Sequence, residues 1–386
     1  MLPALVFGAI ALVFAGMSAG AVFHLRWVSR LPRAQDLLPT TDVTPHGRPR
    51  CSVIIAARDE EARIERTVRH LLDQTGVTIE IIVVDDRSTD RTAEILRRLI
   101  TEDARIRLVR VNLLPDGWLG KCHACHVGAA AAEGDWILFT DADCWLEPDV
   151  VARALAVAGQ QHADHVTLTP GVVTATLSAE AWHLLFLISV TNWISGVNRD
   201  RPGAYLGMGA FNLVRTDTYR SCGGYEALRL TVLDDVKLGL LLRRAGARTR
   251  AFLGTGDVEC HWGQTMRQMI DVMEKNYFAA IDFRFALSLA IGIGGPGLWL
   301  TALAAPLAGT VAGAAAGLSV LSLILPAAMI ARRLGWRLRG ALFAPFVYPV
   351  LCYAVLNSAL VTVWQGGVRW RGTFYSLKDL RAGAVR

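Results

Sequence analysis

From Phe285 to Ala331 the chain runs for 47 residues without an Asp, Glu, Lys or Arg. A helix needs about 20 apolar residues to cross a bilayer core. The run therefore has room for two spans, with a Gly/Ala-rich turn near Gly309–Gly313. Met1–Leu25 is a second uncharged stretch, followed by Arg26, Arg30 and Arg33 and preceded by no basic residue. That charge order fits an uncleaved anchor with its N-terminus outside and the next segment in the cytoplasm. A cleaved leader is the alternative, since Ala19-Gly20-Ala21 supplies small residues for a cleavage site. A third uncharged run, Gly340–Val368, contains Pro345 and Pro349 and reads as either a full span or a re-entrant segment. The expectation is a multi-pass protein of the inner (plasma) membrane with the domain between the apolar ends in the cytoplasm.

The net charge of +6 does not indicate a nucleic-acid partner, because of where the charge lies. Residues 285–386 hold nine Lys/Arg against one acid, Asp379, which leaves 26–284 slightly negative. The basic residues border apolar runs and read as membrane-flanking charge. Seven cysteines, an odd number scattered over 386 residues, do not make a secreted disulfide framework. Reduced thiols in a cytoplasmic domain are expected.

Between the uncharged ends, residues 50–150 alternate strand and helix. Ser52–Ala57 and Ile79–Val84 are short β-branched runs, and Trp136–Thr140 is a third. Between them, Asp59–Gln74 and Thr89–Ile100 have helical spacing, and another helix begins near Lys121. Such alternation predicts a parallel sheet with helices on both faces, whose ligands sit at the carboxyl ends of the strands.

Polar motifs fall at those ends. Asp85-Asp86 follows the second strand, where a carboxylate is placed to accept from a nucleobase imide or ribose hydroxyls; Ser88 or Asp90 could instead cap the next helix. Asp141-Ala142-Asp143 follows Trp136–Thr140, and in extended chain its two carboxylates would face one hard divalent ion. Asp234-Asp235 opens an apolar helical stretch and reads as a helix N-cap, a general base, or both. Cys122-His123-Ala124-Cys125-His126 has the spacing of a haem attachment site or half a zinc site. Haem is not expected, since attachment needs an oxidising outer compartment. Zinc is not expected either, since no second Cys/His pair at finger spacing follows.

Together these segments resemble the membrane-anchored family 2 glycosyltransferases. The matching stretches are SVIIAARDEE (52–61), VVDDRSTD (83–90), GWLGKCHA (117–124), FTDADC (139–144), GMGAFNLVR (207–215) and LDDVKLG (233–239). The segments EKNYFAAI (274–281) and VRWRGTFYSL (368–377) are similar to the subgroup that glycosylates lipids, such as carotenoids or hopanoids. The resemblance implies an α/β nucleotide-sugar-binding domain of the Rossmann-like GT-A type with N- and C-terminal transmembrane helices. Its implied divisions are an anchor (1–25), a stalk (26–49), the GT-A domain (50–265), an interfacial helix region (266–284), membrane segments (285–368) and a basic cytoplasmic tail (369–386).

It further implies a donor site of Ala56, Asp85, Asp86, Lys121 and Asp141. Asp141 and Asp143 would hold Mg²⁺ or Mn²⁺ on the diphosphate, with Asp235 as the base. The family's Glu-Asp pair is Asp234-Asp235 here, and the acceptor side would include Asp234, Trp262, Gln264 and Arg267. The Gln-x-x-Arg-Trp motif of chain-extending members appears as Gln264-Thr265-Met266-Arg267-Gln268, without the Trp that stacks under an acceptor sugar. Transfer of a single sugar from a UDP-sugar to a lipid is therefore the expectation. A processive synthase, a catalytically silent membrane scaffold and a membrane c-type cytochrome are the competing readings.

Overall fold

The structure is a computed structural model and describes residues 2–37 and 49–385. Of the stretch read as a stalk, residues 38–48 lie outside the described residues. The chain divides into two compact units. One comprises Arg30–Val172, Gly196–His261 and Lys378–Arg386; the other comprises Met1–Ser29, Val173–Ser195 and Trp262–Leu377.

The first unit is built on an eight-stranded sheet in the order β3-β2-β1-β4-β7-β6-β8-β5. Strands β1 (Arg50–Ala57), β2 (Thr78–Asp86), β3 (Ile106–Val111) and β4 (Trp136–Asp141) run parallel, as the alternation predicts. Ile54, Ile55, Ile81, Ile82 and Leu138 are fully buried, which is why these strands read as unbroken apolar runs. The intervening helices turn apolar stripes inward. In α2 (Ile64–Leu72) these are Ile64, Val68 and Leu71, and in α3 (Thr92–Glu102) Ala93, Leu96 and Leu99. Helix α4 (Gly120–Ala130) packs small residues against the sheet, and Gly128 lies so close to Ile54 that an added Cβ would come within 2.6 Å of it.

The sheet is not parallel throughout. Strand β5 (Cys144–Leu146) leads into α5 (Val150–Gln160) and β6 (His165–Val172), while β7 (Asn212–Arg215) comes after α6 (Leu177–Asn198). β7 runs antiparallel to both β4 and β6; β6 pairs in parallel with β8 (Thr249–Cys260), and β5 antiparallel with β8. The helices between β7 and β8 are α7 (Thr216–Ser221) and α8 (Asp234–Arg244). Arg30 bridges to Leu253 of β8, and Leu31 N–H bonds its carbonyl at 3.3 Å.

In the second unit, α1 (Leu2–His24) is followed, after α6, by α9 (Met266–Glu274), α10 (Tyr277–Ala280), α11 (Phe285–Leu289) and α12 (Gly295–Ala304). Then come α13 (Val311–Leu321), α14 (Ile324–Leu334), α15 (Arg339–Gln365) and a hairpin of β9 (Gly367–Trp370) and β10 (Thr373–Ser376). Ile10 and Phe14 of α1 bury against Ala302, Ala305, Ala316, Val320 and Leu323. Among the described residues, four helical stretches are long and apolar enough to cross a membrane: Leu2–Trp27, Phe285–Ala308, Val311–Leu334 and Arg339–Gln365. Their outward faces expose Leu5, Leu12, Leu307, Val311, Leu318 and Trp364. α15 runs continuously through both prolines. Pro349 lacks the N–H that would bond the carbonyl of Pro345, and Trp299 Nε1 donates to that carbonyl instead at 2.8 Å.

The chain ends in α16 (Leu377–Gly383). Leu380 is fully buried, and Gly383 sits so close to Leu230 that an added Cβ would lie 2.5 Å from the Leu230 Cβ. Residues Lys378–Arg386 thus belong to the sheet unit.

Candidate active site

Three neighbouring parallel strands end side by side. In register, Ala56 of β1 lies between Val84 of β2 and Asp141 of β4, and Asp85 is level with Ala57. Their carboxyl ends therefore bring Ala56, Asp85, Asp86 and Asp141 to one edge, as open α/β sheets do.

The two adjacent acids at the end of β2 are used differently. Asp85 is buried; its Oδ1 accepts from Ser88 N–H (3.1 Å) and its Oδ2 from Arg110 Nε (3.3 Å). Asp86 takes a bidentate bond from the Arg87 guanidinium (2.8 and 3.1 Å), with Arg58 3.9 Å away. Arg87 has φ 58°, a strained left-handed conformation that holds this turn. Gly120, at the start of α4, leaves room for Asp86, whose Oδ2 would be 2.4 Å from an added Cβ. Neither expected cap residue occupies the N-cap of α3, which is Arg91; Asp90 Oδ1 accepts from Thr92 N–H at 2.9 Å, and Ser88 Oγ accepts from Asp59 N–H.

Asp141 and Asp143 do come together, but not through extended chain. Ala142-Asp143 forms a turn, pinned by Thr67 Oγ1 donating to the Ala142 carbonyl at 2.7 Å. Ligand atoms of Asp141, Asp143 and Cys144 lie within 4.8 Å of one another. Burial, with Asp141 and Glu60 nearby, pushes the Asp143 carboxyl up to about 6. Burial also holds the Cys144 thiol well above its usual range, so it stays protonated beside two hard oxygen donors. That donor set suits Mg²⁺ or Mn²⁺.

Across from this turn stands the start of α8. Asp235 Oδ2 accepts from Gly209 N–H at 2.7 Å, and Oδ1 from Val236 N–H at 2.8 Å. The residue preceding the helix is Leu233, and no side chain caps it, so capping does not account for either acid. Burial and the neighbouring Asp234 push the Asp235 carboxyl up to about 6. Asp234 is buried and accepts from the Tyr225 hydroxyl at 3.0 Å. Lys121 sits between the two groups, its Nζ 2.6 Å from Asp141 Oδ1 and 3.8 Å from Asp234 Oδ2. Burial draws its pKa down, but Asp141, Asp234 and Asp235 outweigh burial and keep the ammonium charged.

Gly209 is the hub. A Cβ there would meet Asp141 Oδ2 at 2.7 Å, and Asp235 Oδ2 and Lys121 Nζ at 3.3 Å each. Gly207, two residues earlier, would drive a Cβ to 2.0 Å from the Asp235 carbonyl.

Residues 52–223 match the family model Glycosyl transferase family 2. The chain carries a family 2 glycosyltransferase domain. It is 29% identical over 211 residues to a 4,4'-diaponeurosporenoate glycosyltransferase of Staphylococcus haemolyticus, covering 54% of this chain and 55% of that protein. It is 33% identical over 146 residues to a beta-monoglucosyldiacylglycerol synthase of Synechocystis, covering 37% and 30% respectively. The chain thus matches about half, or less, of the length of these curated relatives. A solved mannosyltransferase of Pyrobaculum calidifontis, PcManGT, in complex with GDP-Man and Mn²⁺, shares the GT-A-like fold with a TM-score of 0.56. That match is 19% identical and covers 93% of this chain and 99% of that one.

The glycosyltransferase domain's matched segment ends before Asp234 and Asp235, which geometry joins to it. Trp262, Gln264 and Arg267 belong to the second compact unit. There the Gln264 carbonyl accepts from Ala175 N–H at 2.9 Å, and Arg267 lies on α9. Gln268, at the position of the processive motif's Trp, closes the capping box of α9 with Thr265. Cys122 and Cys125 of the Cys-x-x-Cys-His segment are buried on α4, with the Cys122 thiol directed at the Thr231 carbonyl.

Gly209 and Tyr225 were not singled out as site residues. The Gly-Met-Gly of 207–209 was the available signal, since glycine marks close backbone approach. Gly209→Ala is expected to fold but to lose donor turnover by about tenfold or more, because overpacking costs about 1–3 kcal/mol and falls here on three charged side chains of the candidate site. Thermal unfolding measured beside nucleoside-diphosphate release checks this; unchanged release would show that the three groups need no such proximity.

Proposed function

We propose that the chain is an inverting glycosyltransferase that moves one sugar from a nucleoside-diphosphate sugar, a UDP-sugar, to a hydroxyl of a lipid at the cytoplasmic face of the membrane. The observation that carries this reading is the convergence of Asp141, Lys121 and Asp235 around Gly209. It sets an acidic turn opposite a carboxylate held by two backbone N–H groups. The lipid acceptor is supported by the two relatives named for lipid-linked glycosylation, and by four helices apolar enough to hold the chain at a bilayer. Single transfer is supported by Gln268 in place of the stacking Trp.

In this reading Asp86 faces the nucleoside, and Asp141 and Asp143 hold Mg²⁺ or Mn²⁺. When bound, the ion neutralises charge gathering on the leaving diphosphate. Asp235 Oδ2 gives up its bond to Gly209 N–H and takes the proton of the acceptor hydroxyl. The acceptor oxygen then bonds the anomeric carbon from the face opposite the diphosphate. The bond from that carbon to the diphosphate oxygen breaks, and the nucleoside diphosphate leaves with the bonding pair. A pKa raised above that of a free Asp matches Asp235 better to the proton it takes.

The test is nucleoside-diphosphate release by the full chain in detergent, across UDP- and GDP-sugars, with extracted membrane lipids as acceptor. Release with one donor, stimulated by lipid and yielding a glycolipid with a single sugar, is the expected result. Release of several sugars per acceptor supports the processive reading. No release from any donor with metal supplied supports the silent scaffold.

A further inference from the structure

A lysine ammonium stands at the acidic turn. Lys121 Nζ stands 2.6 Å from Asp141 Oδ1, a short charge-assisted contact. On its other side, 3.8 Å away, is Asp234 Oδ2, held in place by the Tyr225 hydroxyl. The ammonium therefore lies between two carboxylates, one in the acidic turn and one at the foot of α8. Asp143, the other acid of the turn, has no such ion pair among the described residues; the Cys144 thiol lies 3.8 Å from its Oδ1.

We propose that Lys121 is a resident counter-cation of the acidic turn, which competes with the divalent ion for Asp141 and is drawn off it by the diphosphate of the nucleotide. The idea rests on the reading above that Asp141 and Asp143 hold that ion. Two positive charges do not share one carboxylate without cost: at about 4 Å, unit charges near a protein surface interact by several times the thermal energy. The ion arriving alone must therefore displace the ammonium or bind beside it. A diphosphate brings negative charge that accepts the ammonium and bridges to the ion, so the two ligands help each other. The lysine need not travel far, because Asp234 Oδ2 offers a second carboxylate 3.8 Å from Nζ. Metal and nucleotide then bind in a linked manner, and the reciprocal factor applies to both. Tyr225 is a positioning residue here, acting through Asp234.

The test is equilibrium binding, with no turnover involved. Mn²⁺ binding to the full-length protein in detergent is measured by electron paramagnetic resonance, with and without UDP or GDP. In the unaltered protein, the nucleoside diphosphate is expected to tighten Mn²⁺ binding by at least about tenfold. Lys121→Met should bind Mn²⁺ alone about tenfold more tightly, and should lose most of the nucleotide's enhancement. Lys121→Arg, which keeps the charge, should bind Mn²⁺ alone no more tightly than the unaltered protein. If Lys121→Met binds Mn²⁺ alone equally or more weakly, while its circular dichroism shows a native fold, the counter-cation role is overturned. Asp143→Asn separates this from a failure of the underlying reading. Should Asp143→Asn bind Mn²⁺ unchanged, the ion is not held by this turn, and both ideas fall. Should it lose Mn²⁺ while Lys121→Met is without effect, only the role of Lys121 fails.

Discussion

Asp235→Asn should keep near-native thermal stability and nucleotide affinity while sugar transfer falls by at least about 10²-fold. The carboxylate accepts two backbone N–H bonds, from Gly209 and Val236. Asn has one acceptor oxygen, so one of these N–H groups loses its partner, at a cost of about 1 kcal/mol. Removing a negative charge beside Asp234 and Asp141 offsets part of that cost. The chemistry has no such compensation, because an amide does not take the acceptor proton, and loss of a general base lowers rates by about 10²–10⁴-fold. The same raised pKa sets the sign of the pH response. The base form prevails above about pH 6, so transfer at saturating donor should drop on acidification through that value. Transfer by Asp235→Asn within a few-fold of the unaltered protein would move the base elsewhere, with Asp234 the next candidate.

Asp143→Asn is the second large effect. Its carboxyl is the less encumbered member of the acidic turn, since Asp141 is engaged by Lys121. A neutral amide is a poor ligand for Mg²⁺ or Mn²⁺. The charge stabilisation a bound ion offers a leaving group amounts to several kcal/mol, or about 10²–10³-fold in rate. The variant should fold, since the side chain makes no ion pair among the described residues and its charged form is disfavoured by burial. Donor turnover measured over a metal titration, with a chelator control, decides the matter. Near-normal turnover in chelator would remove the ion from the reaction.

Much of this site was legible because it sits where parallel strands end. Buried parallel strands read as unbroken apolar runs, so the positions after Ala57, Val84 and Thr140 announced themselves, and the acids there carried weight. What the sequence concealed depends on contacts between distant residues. Nothing local to Asn212–Arg215 indicates a strand inserted antiparallel between β4 and β6. The adjacent acids Asp85 and Asp86 look alike in sequence, yet one is tied into its own turn by Ser88 and Arg110 while the other faces two guanidinium groups. Gly209 was concealed most deeply, because a residue without a side chain acquires its role only from the three charged groups that surround it. The turn at Ala142 corrected the expected extended geometry, and only the distant Thr67 hydroxyl explains it.

The last residues of the chain carry a topological consequence. Leu380 is buried and Gly383 abuts Leu230, so Lys378–Arg386, the end of the basic tail, is part of the same compact unit as the sheet. A bilayer cannot pass between groups packed together in this way. Three apolar helical stretches, Phe285–Ala308, Val311–Leu334 and Arg339–Gln365, lie between the last strand of that unit and its tail. On the proposed membrane placement, the path that leaves the cytoplasmic face must come back to it, so the number of crossings among these three is even. At least one of the three then enters the bilayer and returns by the side it came from, or rests along its surface. On that placement the helix that does not cross returns Lys378–Arg386 to the sheet's side of the membrane.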